Sequence, residues 1–435
     1  MTRMISFIDR IFKMDKLTNF FHQIRTKIAF FPTIISLAGL FLAFFMIFLE
    51  QQNISGYLMK VAPALVIDDT DTAKTILSTL IGGLISLTVF SFSMVMVLLN
   101  QASSNFSPRV LPGIISDEKH QIVLGQYIAT ILYNIFILIS IEPTEKSYQT
   151  PGFSVLLGII LTVICLAAFI YFIHHISQAI QVGNILTAIH SRTKSEIKSI
   201  VDEQSDNSFQ FPSHDHWEEY EITESGYFHG LLHDDLLELC RENDIKVIIQ
   251  LHKGQFILDG TIGLLTETPI NTDLKTKLMA TLLFSHEELI GENYIYGFRQ
   301  ISEIGIKAMS PGINDPGTAL NTIDYLTSLF IDLMKKADFE YLTDEEGTNW
   351  SRIKCAKFSE VLFNVMATYR LYCKHDITVM RKLLHMLKTL SNHVINSNQL
   401  TIIEEEIKQL REDTNTNIEN KRDLEQLDAN FISWS

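Results

Sequence analysis

Cysteine is scarce in this sequence, and so are the signatures of common chemistry. Cys165, Cys240, Cys355 and Cys373 are the four in 435 residues. None is spaced as a paired-ligand set, which argues against a zinc ribbon or a disulfide framework and for a reducing compartment. No Walker loop, nucleophile elbow or dinucleotide fingerprint occurs. The sequence therefore predicts no enzyme, no catalytic residue, no bound metal and no cofactor. Positive charge is also in short supply: 35 Lys and Arg against 50 Asp and Glu leave a net charge of -15. That balance argues against nucleic acid as a partner, and against lying flat on anionic lipid. The absence with the widest consequence is of charge from four long stretches. Ile28–Leu49, Ile76–Leu99, Ile122–Ile141 and Phe153–Ile173 contain no Asp, Glu, Lys or Arg.

Each stretch is long enough, at about 1.5 Å per residue, to cross a hydrocarbon core of about 30 Å. Hydrophobic residues make up 47% of the chain, as expected when membrane spans are averaged with a polar domain. The acids lie mostly after Asp202, in the region with the texture of a water-soluble domain. The sequence thus predicts an α-helical integral membrane protein with four transmembrane helices. A C-terminal cytoplasmic α+β domain follows, containing a small β-sandwich or half-barrel and a helical part. Its expected divisions are a cytoplasmic interfacial helix (1–27), a four-helix transmembrane domain (28–175) and a linker or helical extension (176–225). After these come a small β-rich module (226–270), a helical cytoplasmic domain (271–398) and an acidic helical tail (399–435).

Orientation follows from the basic residues. Arg3, Arg10, Lys13, Lys16, Arg25 and Lys27 precede the first span, and Arg192, Lys194 and Lys198 follow the fourth. Both termini are expected in the cytoplasm of a bacterium, with the spans in its inner membrane and the lipid bilayer as first partner. The first stretch is too long for a signal-peptide core, and no small-residue cleavage motif follows it. Met4–Phe21 mixes Ile5, Ile8, Ile11 and Phe12 with Arg10, Lys13 and Lys16, as an in-plane anchor would.

The second span carries a seam of small and polar residues. Thr79, Gly82, Gly83, Ser86, Ser93 and Asn100 recur at helical spacings, and Ser103, Ser104 and Arg109 extend the line. Span three has a matching set, Gln126, Thr130 and Asn134. Polar side chains in a span face protein or water rather than lipid, so the seam is either a helix-packing surface or the lining of a wet path. Phe41, Phe44, Phe45 and Phe48 mark span one as the lipid-facing member.

The second half is read more coarsely. Tyr227–Glu267 has the pattern strand, helix, strand, turn, strand, while the chain from Asp273 is read as mostly helical, with Ser351–Asn396 as amphipathic helix. His229 and His233 at i, i+4, with His214 and His216 upstream, have a spacing that can chelate zinc, although the metalloprotease Glu is missing and a surface or core role fits as well. In Ser310-Pro311-Gly312-Ile313-Asn314-Asp315-Pro316, Pro311 and Gly312 stop one helix, with Gly312 suited to left-handed angles. Asp315 caps the next helix, and Pro316 suits its first position. The corner is either structural or, with Arg299 nearby, a cytoplasmic ligand site.

The run Ser93–Arg109 resembles the span-two exit of a bacterial membrane family, domain of unknown function 2254. Gly297-Phe298-Arg299-Gln300, the string Ala308–Pro316, and Gly254-Gln255-Phe256 with Gly260-Thr261 resemble it as well. The likeness covers roughly Ile28 to Leu329, and Gly317 stands where the family pattern has a bulky aromatic residue. It implies a membrane topology and no established activity. Two functions are expected from the residues. One is a homo-oligomer with a gated path for an unidentified ion or small solute along span two. The other is a membrane-anchored sensor or scaffold whose cytoplasmic domain binds an unidentified ligand or protein.

Overall fold

The computed structural model describes residues 29–52, 54–61, 67, 69–105, 118–141, 151–179, 181–204, 211–212, 216–285 and 293–432. The expected anchor over 1–27, Arg109 and His214 lie outside the described residues. The chain divides into two compact units, Met1–Gln181 and Val182–Ser435.

The first unit contains α1 (Phe30–Gln51), α2 (Ile54–Val61), α3 (Thr70–Asn105), α4 (Glu118–Ser140) and α5 (Gly152–Ala179). Four of these, α1, α3, α4 and α5, are long and apolar enough to cross a membrane. Their order and positions agree with the four uncharged stretches. With 36 residues, α3 extends about 54 Å, well beyond the hydrocarbon core it would cross. Small residues bring the other three together. A methyl group added at Gly39 of α1 would sit 2.6 Å from the Ala129 Cβ of α4, and one at Gly125 of α4 would sit 3.0 Å from Pro32 of α1. On α5, Gly158 leaves room for the Asn134 side chain. Phe41 and Phe48 of α1 are exposed, as a lipid-facing surface requires.

One tie in this unit lacks a periodic signal. The Glu50 carboxylate, at the end of α1, accepts hydrogen bonds from the Ser154 amide (2.9 Å) and hydroxyl (2.7 Å) at the start of α5. Its other oxygen accepts from the Ser55 hydroxyl of α2 at 2.7 Å, and that hydroxyl accepts from the Phe153 amide at 2.9 Å. The fully buried Tyr133 of α4 donates to the Ser154 carbonyl at 2.9 Å. A negative group among the free amides of a helix N-terminus is favoured by charge and by hydrogen bonding together.

The second unit opens with α6 (Val182–Gln204), in the region expected as a linker or helical extension: its His190 bonds Ser328 at 3.0 Å and its Thr187 bonds Tyr325 at 2.9 Å. Burial, reinforced by Lys194, lowers the pKa of His190. Then follow β1 (Glu218–Glu221), β2 (Gly226–Leu231), α7 (His233–Glu242), β3 (Val247–Ile249), β4 (Phe256–Ile257), β5 (Ile262–Thr266), α8 (Thr272–Ala280) and β6 (Leu282–Ser285). The rest is α9 (Tyr294–Ala308), α10 (Pro316–Leu333), β7 (Phe339–Thr343), β8 (Asn349–Lys354), α11 (Phe358–Cys373), α12 (Ile377–Ser391), α13 (Ser397–Asn417) and α14 (Lys421–Ile432).

Two sheets form among the described residues. One has the order β1-β5-β3-β8-β7, the other β4-β2-β6. Neighbours are antiparallel except β3 and β8, where Val247 pairs with Ser351 in parallel. Residues of both sheets, among them Phe228, Ile257, Val247, Leu264 and Ile353, share one apolar core. β3 is buried at all three positions, as a strand covered on both faces must be.

One expectation is corrected here. Ser351–Lys354 is strand, not the start of an amphipathic helix, which begins only at Phe358. Positions along β8 alternate between buried and half-buried, the two-residue period of a strand with one covered face. The region from Asp273 thus supplies β6, β7 and β8 to the sheets as well as helices.

Candidate functional site

The α3 seam is regular and faces outward. At about 100° per residue, positions 75, 79, 82, 86, 93 and 100 fall within about 40° of one line. All six are exposed, while Ala73, Leu77, Leu84 and Ser91 on the opposite side are buried. A Cβ added at Gly82 or Gly83 would meet nothing within 4 Å. The hydroxyls of Thr79 and Ser86 donate to the Thr75 and Gly82 carbonyls of the same helix, at 2.8 and 2.9 Å. Such back-bonding satisfies a hydroxyl in a span without a neighbouring helix. Ser93 and Asn100 are exposed along the same line. Ser103 and Ser104 continue the helix.

Thr130 and Asn134 are placed elsewhere, which separates them from the α3 residues with which they were grouped. Both are buried inside the bundle. Thr130 donates to the Gln126 carbonyl at 2.9 Å and accepts from the Cys165 thiol at 3.3 Å. Asn134 packs against Gly158, and neither its Oδ1 nor its Nδ2 has a hydrogen-bond partner among the described residues. Among the described residues of the first unit, the glycines against which a neighbouring helix packs are Gly39, Gly125 and Gly158, none of them on α3.

The corner between α9 and α10 is built from local bonds. The Ser310 carbonyl accepts from the amides of Ile313 (3.0 Å) and Asn314 (2.9 Å), and the Asp315 amide donates to the Ala308 carbonyl at 2.8 Å. Asp315 caps α10: its carboxylate accepts from the Thr318 amide at 3.1 Å and the Thr318 hydroxyl at 2.6 Å, and Pro316 occupies the first turn. These bonds hold the Asp315 carboxyl below its ordinary value. The left-handed residue is Asn314, with φ of 49°, and not Gly312 as expected. Asparagine tolerates that region because its short amide bonds locally. Gly317 lies over the cap, where a side-chain carbon would come within 3.3 Å of the Asp315 Oδ1.

Arg299 is not at this corner. It sits near the middle of α9, pairs with Glu303 at 3.2 Å, and lines a groove that includes Leu371 and Tyr372 of α11. Its neighbours in the Gly-Phe-Arg-Gln run are structural. Gly297 lets α9 close on Thr193 of α6, and Phe298 stacks on Phe330 with ring centres 4.7 Å apart. Two turns on, Gly305 leaves space for the 2.7 Å hydrogen bond between Thr322 of α10 and Tyr369 of α11. Gly254, at φ of 83°, lies against Asn293, whose amide donates to the Lys253 carbonyl at 3.0 Å.

The zinc-type spacing is also corrected. His229 lies in β2 and His233 opens α7, so the two do not share a helix face. Among the described residues, no three His, Cys, Asp or Glu side chains gather as a metal site would need. Burial alone pushes the Cys240 thiol up to about 12.

A feature absent from the sequence reading is a basic groove along α12. An open space of about 480 Å³ is lined by Thr378, Arg381, Lys382, His385 and Lys388, with Leu384 and, from α10, Leu320. Lys382 pairs across it with Asp324 of α10. The available signal was that α12 contains no acid at all.

Four membrane-length helices followed by a mixed sheet-and-helix unit define a multi-pass membrane protein. The chain belongs to the family described as predicted membrane protein DUF2254, which it matches over residues 25–389. Helices α13 and α14 lie beyond that match. Similar proteins include an uncharacterized protein of Mycobacterium tuberculosis and one of Mycobacterium bovis. Each is 24% identical over 342 residues, covering 76% of this chain and 64% of the relative. The chain thus spans less than two thirds of the length of these relatives. No solved structure matches it.

Proposed function

We propose that this protein is a homo-oligomer of the bacterial inner membrane in which the outward face of α3 meets other copies around a gated path for an ion or small solute. The second unit, with its two sheets as a small β-sandwich and its helical part, lies in the cytoplasm and controls the path. The carrying observation is the exposure of Thr79, Gly82, Ser86, Ser93 and Asn100 along one line of α3. Lipid offers nothing to uncharged polar groups, whereas a neighbouring helix or water does. Four spans are few for a monomeric carrier, so the path forms between copies. The basic residues before the first span and after the fourth support cytoplasmic termini. No catalytic step and no cofactor enter this reading.

Conductance of the purified protein in a planar bilayer tests it. Discrete currents, lost in a Ser93→Leu/Asn100→Leu variant that still folds, are the expected result. Silence from folded protein across voltage, tension and salt gradients would move the assignment to an anchored sensor or scaffold. The basic groove on α12 is the observation that favours that second reading.

A further inference from the structure

We infer that the groove along α12 binds a small anion carrying two or more phosphate groups. In a chain of net charge -15, the charged side chains of this helix are all cationic: Arg381, Lys382 and Lys388, with His385 between them. Val379, Leu383 and Leu387 hold its other face in the core. Residues 381, 385 and 388 are spaced four and three apart, which aligns them on one face over about 10 Å. That spread suits successive phosphates better than a single one. Lys382 is already neutralised by Asp324. The side chains of Arg381 and His385 make no hydrogen bond or ion pair among the described residues.

The groove has further features that fit a ligand. Leu320, half-buried on α10, gives it an apolar edge against which the non-phosphate part of such a molecule can rest. Arginine supplies a planar fork that bonds phosphate oxygens in pairs. The anion lies along the helix side and not at its N-terminus, because the Asp376 carboxylate already accepts from the Thr378 and Val379 amides, at 2.8 and 3.0 Å. Leu320 is one turn beyond Pro316, so the exposed corner fixes the start of the helix that forms the opposite wall. This site stands whether or not α3 conducts.

Two sources share this chemistry, a free nucleotide and a phospholipid headgroup that carries two phosphates. The test is calorimetric titration of the full chain, in an uncharged detergent at low salt, with pyrophosphate and then ATP. Saturable binding is expected, weakened at least tenfold in Arg381→Gln/Lys388→Gln and weakened further by salt. Tetrahexanoyl cardiolipin, a short-chain lipid whose headgroup carries two phosphates, is then added as competitor. Displacement of pyrophosphate by the lipid at lower concentration than by ATP assigns the headgroup, and the reverse order assigns the nucleotide. A second variant, Arg299→Gln, alters a cation outside the groove and is expected to bind as the parent does. No saturable binding of pyrophosphate, or equal binding by a folded double variant, would overturn the site.

Discussion

Helices α3 and α4 carry the same kind of sequence signal, and the fold uses them oppositely. Each has small and polar residues at helical spacing within an otherwise apolar span. On α4 the signal turns inward: Thr130 and Asn134 are buried, with Cys165 and Gly158 of α5 against them. On α3 it turns outward, and Gly82 and Gly83 touch nothing. A polar seam in a span is thus met in two ways, by side chains of the same bundle on α4 and by hydroxyls bonded back to their own helix on α3. Which way such a seam turns is visible only once the bundle is assembled.

The sharpest contrast comes from filling the two glycine positions. Gly158→Leu drives a side chain into Asn134 and is expected to cost about 3 kcal/mol. Gly82→Leu should stay within about 0.5 kcal/mol in monomeric protein, as substitutions at uncontacted surface positions do. Thermal unfolding in detergent measures both, and equal losses would break the comparison. Next in size is Glu50→Gln, which weakens charge-assisted bonds to α2 and α5 and should cost about 2 kcal/mol by the same measurement.

The two asparagines sharpen the contrast further. Asn134→Leu removes buried amide atoms that lack partners and should leave stability unchanged or raise it by about 1 kcal/mol. Asn100→Leu should leave monomer stability alone and lower the fraction of oligomer seen by size-exclusion chromatography with light scattering. In the second unit the smallest effect is expected at the corner, where Asp315→Ala loses a cap worth about 1 kcal/mol. Because its folded pKa lies below the ordinary 3.8, Asp315 contributes stability above that pH and loses it as the pH falls through the lowered value. The Ala variant should show a shallower acid-side decline in chemical denaturation between about pH 5 and pH 2.

Local features of this fold are legible in the chain, and non-local ones are not. The four spans declare themselves because length and lack of charge are properties of a segment alone. The α10 cap is equally local, with Asp315, Pro316 and Thr318 consecutive or nearly so. Strand β8 is different: its parallel partner β3 lies about a hundred residues earlier, at Val247 to Ile249, and Ser351-Arg352-Ile353-Lys354 by itself reads as readily helical. His229 and His233 have helical spacing, yet Gly230 and Leu231 between them pair with β6. Propensity favours glycine as the left-handed residue at the corner, while the chain path places it at Asn314. The groove on α12 is not legible in the sequence because its opposite wall, Leu320 and Asp324, arrives from another helix.

In the proposed oligomer the outward face of α3 is covered by another copy of this chain. Cysteine cross-linking in native membranes tests it most directly, with Ser86→Cys on that face and Phe41→Cys on the exposed aromatic face of α1. An oxidant or a short bis-maleimide should yield a covalent dimer from Ser86→Cys and none from Phe41→Cys. Equal yields at the two positions, or a dimer from Phe41→Cys alone, would contradict the account.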